Sequence, residues 1–234
     1  MQKPFTHLVA AATMAFALAG CAGSYRAIRP ESITSYQSTS GKGGPIDFSY
    51  RYGALLTHGP NKKYVKKERK RGYQLVAVQV KNNTTAELNF SRDLELSFGD
   101  RPVQPVGSLQ ASEDLKQGVA IYLLYLPLNF RVVSTVSNNG GVVQDNSVFI
   151  PTGPFIAAGN MIGAGTANKN MRNELARYDL TNKVIRPGET VYGLLPLRET
   201  NVAPLKLTLR NSAAIAPVTV PSATPATPAP AGSN

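Results

Sequence analysis

The sequence predicts a mainly β protein, an antiparallel β-sandwich interrupted by a helical or mixed segment. Three observations lead there. Apolar residues recur at a period of two in Phe48-Tyr50-Tyr52, Val76-Val78-Val80, Leu94-Leu96-Phe98 and Leu205-Leu207-Leu209, which sets one face of each run on a core and the other in water. Asn82-Asn83-Thr84-Thr85, Gly99-Asp100-Arg101-Pro102 and Arg186-Pro187-Gly188-Glu189 supply turn chemistry between such runs. Residues 107–183 follow neither pattern and are too long for a sandwich connection.

Taken in chain order, residues 1–20 begin with Met1-Gln2-Lys3 and continue as an apolar run from Leu8 to Ala19. A basic start, a short apolar run and a small-residue end make a secretory signal, and the run is too short to span a bilayer comfortably. It closes on Leu18-Ala19-Gly20-Cys21, which resembles the lipobox of bacterial lipoproteins. The resemblance implies cleavage before Cys21, acylation of its thiol and a membrane-anchored envelope protein. Ala22 stands where an Asp in that family retains the protein at the inner membrane, so an outer-membrane address is implied.

Cleavage leaves 24 basic against 14 acidic residues and one histidine, His58. The single Cys rules out a disulfide scaffold and a Cys-based zinc site. Residues 21–45 are polar and rich in Ser, Gly and Thr, which reads as a flexible tether. Residues 211–234 are rich in Pro, Ala and Thr and read as a disordered tail.

Lys62, Lys63, Lys66, Lys67, Arg69, Lys70 and Arg71, with Glu68 among them, form the densest charge of the chain. Each basic residue near an anionic surface contributes roughly 1 kcal/mol, so the run suits acidic lipid, lipopolysaccharide or anionic glycan. A solvated loop that keeps the chain soluble is the plainer alternative. Secretion removes the protein from intracellular nucleic acid, so nucleic acid is not an expected partner. An envelope protein partner stays open.

Gln74–Asn83, Asp93–Phe98 and Ile185–Leu195 resemble segments of the Ig-like domains of bacterial extracellular lipoproteins. The resemblance covers about a quarter of the chain and implies an Ig-like sandwich over 46–210. It implies nothing about activity.

Within 107–183, Ser112-Glu113-Asp114 suits a helix start. Ile121–Leu128 is the most apolar stretch of the mature chain and reads as a covered strand or helix. Ser137–Gly141 is a loop tip, and Thr152-Gly153-Pro154 is a second helix start with Pro in its first turn. Ala167, Met171, Leu175 and Tyr178 make one helical stripe, read as a core face. Gly159, Gly163 and Gly165 loosen the same element upstream.

Gly-x-Ser-x-Gly, His-Glu-x-x-His and a phosphate loop are absent, and Gly163–Asn168 lacks the third glycine of a dinucleotide loop. No cofactor, metal or enzymatic activity is expected. His58, beside Gly59-Pro60-Asn61, reads as a solvated loop residue. A competing reading is a hydrolase of envelope glycans working through two of Asp93, Glu95, Asp100, Glu113 and Asp145, whose spacing gives no sign that they meet.

Overall fold

The alternating runs pair as antiparallel ladders. The computed structural model describes residues 22–39, 43–59, 61–137 and 143–210. The signal segment with Cys21, the middle of the proposed tether, most of the 137–141 loop tip and the 211–234 tail therefore lie outside the described residues.

β3 (Gln74–Asn82) is the centre of a four-stranded sheet in the order β1 (Gln37–Ser38), β2 (Ile46–Arg51), β3, β10 (Thr190–Leu197). Its register runs from Ile46 opposite Asn82 to Arg51 opposite Ala77 on one side, and from Thr190 opposite Lys81 to Leu197 opposite Gln74 on the other. A three-stranded sheet has the order β11 (Leu205–Leu209), β5 (Leu94–Phe98), β6 (Arg101–Pro102). β4 (Leu88–Asn89) pairs with β9 (Val184–Ile185), and β7 (Phe130–Ser137) with β8 (Val143–Ile150) as a hairpin.

The two larger sheets share one core, in which Phe48, Val78, Val80 and Leu195 meet Leu96, Phe98, Leu205 and Leu207. The other face of the central sheet is covered by helices. There Leu75, Ala77 and Leu194 pack with Tyr64, Leu115, Met171 and Leu175. Two covered faces bury Leu75 through Val78 without a break, where simple alternation would leave every second residue wet.

Among the described residues helix and strand are nearly equal in extent, so the fold is mixed α/β with several small antiparallel sheets rather than mainly β. The extra helix comes from segments whose sequences lack an apolar stripe. The basic run folds as α1 (Lys62–Arg71), stopped at Gly72, which takes the left-handed conformation glycine tolerates best. Lys, Arg and Glu are good helix formers, and one inward pair, Tyr64 and Glu68, holds the helix down. It is not a loop.

After the short α2 (Phe90–Asp93), α3 spans Ser108–Leu115. Ser112 lies inside α3 and donates to the Leu109 carbonyl, so the capping role expected of it is not taken. α4 (Gly153–Arg177) starts where Thr152-Gly153-Pro154 marks it, and its Ala167, Met171 and Leu175 are buried as the stripe required.

Two expectations are corrected. Within the supposed tether, residues 22–36 lie against the helical layer, with Ile28 1% exposed and the backbone of 22–29 satisfied by buried polar side chains, and Gln37–Ser38 join the central sheet. The Ile121–Leu128 run is not covered. A 3-10 helix, Ala120–Tyr125, puts Tyr122 inward and leaves Ile121, Leu123, Leu124, Leu126 and Leu128 exposed. With three residues per turn, Tyr122 and Tyr125 share one side, where their rings stack, and the leucines occupy the other two.

Candidate functional site

Around residues 22–29, side chains from α4 and from the loops before α1 and after α3 converge on a backbone that has no sheet partner. The Ala22 amide donates to Asn160 Oδ1 at 2.6 Å. Gly23 donates to Gln117 Oε1 at 3.1 Å and accepts from its Nε2 at 2.7 Å. Arg26 exchanges the same pair of bonds with Asn61, at 2.8 and 2.9 Å. Ile28 and Arg29 donate to Glu174 Oε1 at 2.8 and 2.9 Å, and the Tyr25 hydroxyl donates to Glu174 Oε2.

Asn61, Gln117, Asn160 and Glu174 are all buried, and burying such groups is costly unless each is bonded. Each gives at least one of its bonds to this segment, which therefore folds as part of the domain. Burial, with the Glu174 carboxylate beside it, pushes the Tyr25 hydroxyl far above its ordinary titration range.

The segment runs along α4. From Asn160 to Glu174 the helix rises about 21 Å, and six extended residue steps from Ala22 to Ile28 cover about 20–22 Å. A chain joined at Ala22 to Cys21 therefore has its attachment point fixed at the middle of α4, beside Gly163. A Cβ added at Gly163 would lie 3.3 Å from the Ala22 Cβ.

α1 borders the same end. Lys63 Nζ donates to the Tyr122 hydroxyl at 2.7 Å, and its stem lies against Gly23. Lys62, Lys66, Arg69, Lys70 and Arg71 are exposed and Lys67 half-buried, so the seven cations form a solvated helical face with Lys63 at its edge. Gly153 lets the 3-10 helix close on α4, since a Cβ there would stand 2.3 Å from the Tyr125 and Leu126 carbonyl oxygens.

The remaining candidate carboxylates have separate partners or lie on separate elements. Asp93 pairs with Arg92, Asp100 with Lys206 and Glu113 with Lys116, while Glu95 lies on β5 opposite Thr208. Asp145 sits on the separate hairpin, opposite Thr135. Among the described residues, no three His, Cys, Asp or Glu side chains are placed to hold a metal. His58 is exposed, with Ser32 Oγ 3.1 Å from its Nε2.

Glu68 is a perturbed carboxyl on α1. It borders a groove of ≈ 400 Å³ lined by Tyr52, Val65, Tyr73, Thr200 and Val202, and accepts from the Leu75 amide at 2.6 Å. Burial pushes its pKa up from 4.5 to about 7. The unfolded carboxyl loses its proton near 4.5 while the folded one keeps it to about 7. Stability from this group is thus full below 4.5 and falls as pH rises to 7, by about 3 kcal/mol at most. Glu68→Gln is expected to become the more stable protein above pH 7 and to lose that advantage near pH 4.5. Thermal melts whose difference stays constant from pH 4.5 to 8 would show that Glu68 titrates normally.

The convergence of Asn61, Gln117, Asn160 and Glu174 was missed in the sequence, where isolated polar residues carry no pattern. Tyr25, Ile28 and Tyr36, dispersed in a polar stretch, were the available signal. Compared with known protein families, with curated proteins and with solved structures, the chain matches none of them. Among the described residues, no helix is long and apolar enough to cross a membrane.

Proposed function

We propose that this protein is a cell-envelope lipoprotein, acylated at Cys21, with a binding or structural role at the membrane face and no catalysis. The observation that carries the reading is the sequence Leu18-Ala19-Gly20-Cys21 next to a residue, Ala22, that is itself hydrogen-bonded into the domain. Two acyl chains make stable membrane attachment because each buried methylene contributes about 0.8 kcal/mol. The attached domain lies against the surface, facing the periplasm or the exterior from the outer membrane.

The cationic face of α1, with Lys62, Lys63, Lys66, Lys67, Arg69, Lys70 and Arg71, is read as the contact with anionic lipid, lipopolysaccharide or glycan. The Ig-like reading of the β layer rests on two antiparallel sheets packed over one core.

The test is the chemistry at position 21 in the full-length protein expressed in a bacterial envelope. Mass spectrometry of the N-terminal peptide is expected to find an acylated Cys21, and Cys21→Ser is expected to accumulate as the uncleaved precursor. A wild-type chain that begins elsewhere, or that carries a free Cys21 thiol, overturns the proposal.

A further inference from the structure

Most of the large apolar side chains exposed among the described residues fall between Ile121 and Ile162. They come from three neighbouring elements: Ile121, Leu124 and Leu126 around the 3-10 helix, Phe149 at the base of the hairpin, and Phe155 and Ile162 on α4. These elements are joined physically. Gly153 abuts the Tyr125 and Leu126 carbonyls, Thr152 Oγ1 donates to the Leu128 carbonyl at 3.2 Å, and β7 begins at Phe130. Contiguous exposed apolar surface on a protein marks a contact with something else.

The charge pattern indicates what that is. Between Lys116 and Lys169 the only charged residues are Arg131 and Asp145. The exposed face of α4 is uncharged from Pro154 to Thr166, with Phe155 and Ile162 two turns apart on it, and becomes charged at Lys169 and Arg172. The uncharged part is about 20 Å long.

A protein interface of this character would have a polar rim, whereas a lipid-facing surface ends in amphipathic aromatics and cations. Half-buried Tyr125 lies at the boundary, stacked on the inward Tyr122, whose hydroxyl accepts from Lys63 of α1. Position adds to this: Ala22 is bonded to Asn160 and lies against Gly163, within the uncharged half of α4, so the chain enters the domain beside this apolar region.

We propose that the 3-10 helix, the base of the β7–β8 hairpin and the first half of α4 form a lipid-contacting surface. It inserts into the leaflet that holds the Cys21 acyl chains and fixes the domain's orientation on the membrane. This rests on the lipoprotein reading above. Surfaces of this kind sit about 5–10 Å into the headgroup and upper acyl region. The bilayer replaces the partner that Leu124 and Phe155 lack.

The chain has no Trp, so single reporters are unambiguous. Full-length Leu124→Trp, Phe155→Trp and, on the groove by α1, Val202→Trp are purified from the envelope and checked for Cys21 acylation and unchanged thermal unfolding. Each is reconstituted into vesicles of phosphatidylcholine and phosphatidylglycerol, with and without dibrominated acyl chains.

The expected result is blue-shifted emission for Leu124→Trp and Phe155→Trp that is largely quenched by the brominated lipid, with Val202→Trp unaffected. Acylated protein that floats with vesicles while all three reporters escape quenching overturns the lipid-contacting surface and leaves the lipoprotein reading intact. Blue-shifted reporters without quenching also overturn it, in favour of a second copy if the protein cross-links to itself, or of residues 1–20 if these remain attached. Absence of acylation overturns the lipoprotein reading, and quenching in that sample still reports on the surface.

Discussion

Met171→Asp is expected to lower Tm by about 10–20 °C or to prevent folding altogether, because a single unpaired buried charge costs about 5 kcal/mol and a protein of this size loses roughly 2–4 °C per kcal/mol. Met171 is fully buried in the cluster that contains Tyr64, Leu75, Leu115 and Leu175. No cation among those side chains could pair with the new carboxylate. Circular dichroism melts decide the matter. A variant with wild-type Tm that elutes as a smaller species would mean that the stripe of α4 is an interface between molecules.

Glu174→Ala has a different signature. It leaves the Ile28 and Arg29 amides and the Tyr25 hydroxyl without their acceptor, at about 1–3 kcal/mol for each buried group left unsatisfied. Part of that cost is avoided if residues 22–29 peel away from α4 while the rest stays folded. Trypsin is then expected to cut after Arg26 at least ten times faster than in the wild type, with the 43–210 core still resistant, a tenfold change corresponding to about 1.4 kcal/mol of opening free energy. Glu174→Gln keeps one acceptor and should be cut at an intermediate rate. Equal cleavage of all three proteins would show that Glu174 does not hold the segment.

The β layer was legible because alternation reports burial directly. Val76-Val78-Val80, Leu94-Leu96-Phe98 and Leu205-Leu207-Leu209 all face the shared core. Alternation could not show that Leu75 and Ala77 are covered as well, since that depends on helices brought there from elsewhere. α1 was illegible as a helix on apolar periodicity, having one buried aromatic and one buried carboxylate among exposed cations. Its propensity and the Gly72 stop were the better guides.

Composition misled in both directions at 22–39 and 120–128. A polar stretch is docked on the helical layer, with Ile28 and Pro30 buried, because Asn61, Gln117, Asn160 and Glu174 satisfy its backbone. The most apolar stretch is exposed because a three-residue period can turn only one of its sides inward. Asn82 repeats the first case on a small scale. Read as turn chemistry, it is fully buried and bonds Ala86, Ile185 and Thr84 at once.

The route of residues 22–29 along α4 also sets how the domain answers a mechanical load. Tension applied at Ala22 is directed along the helix, so the bonds at Asn160, Gln117, Asn61 and Glu174 are strained together in shear instead of opening one after another. The four anchor points lie on α4, the α1 entry and the stretch after α3, which makes the helical layer the stressed part. Neither of the two larger sheets contributes a side chain to these bonds, and they carry none of that tension directly. A domain dragged by its N-terminus would yield first at this helical seam, while its β core kept its shape.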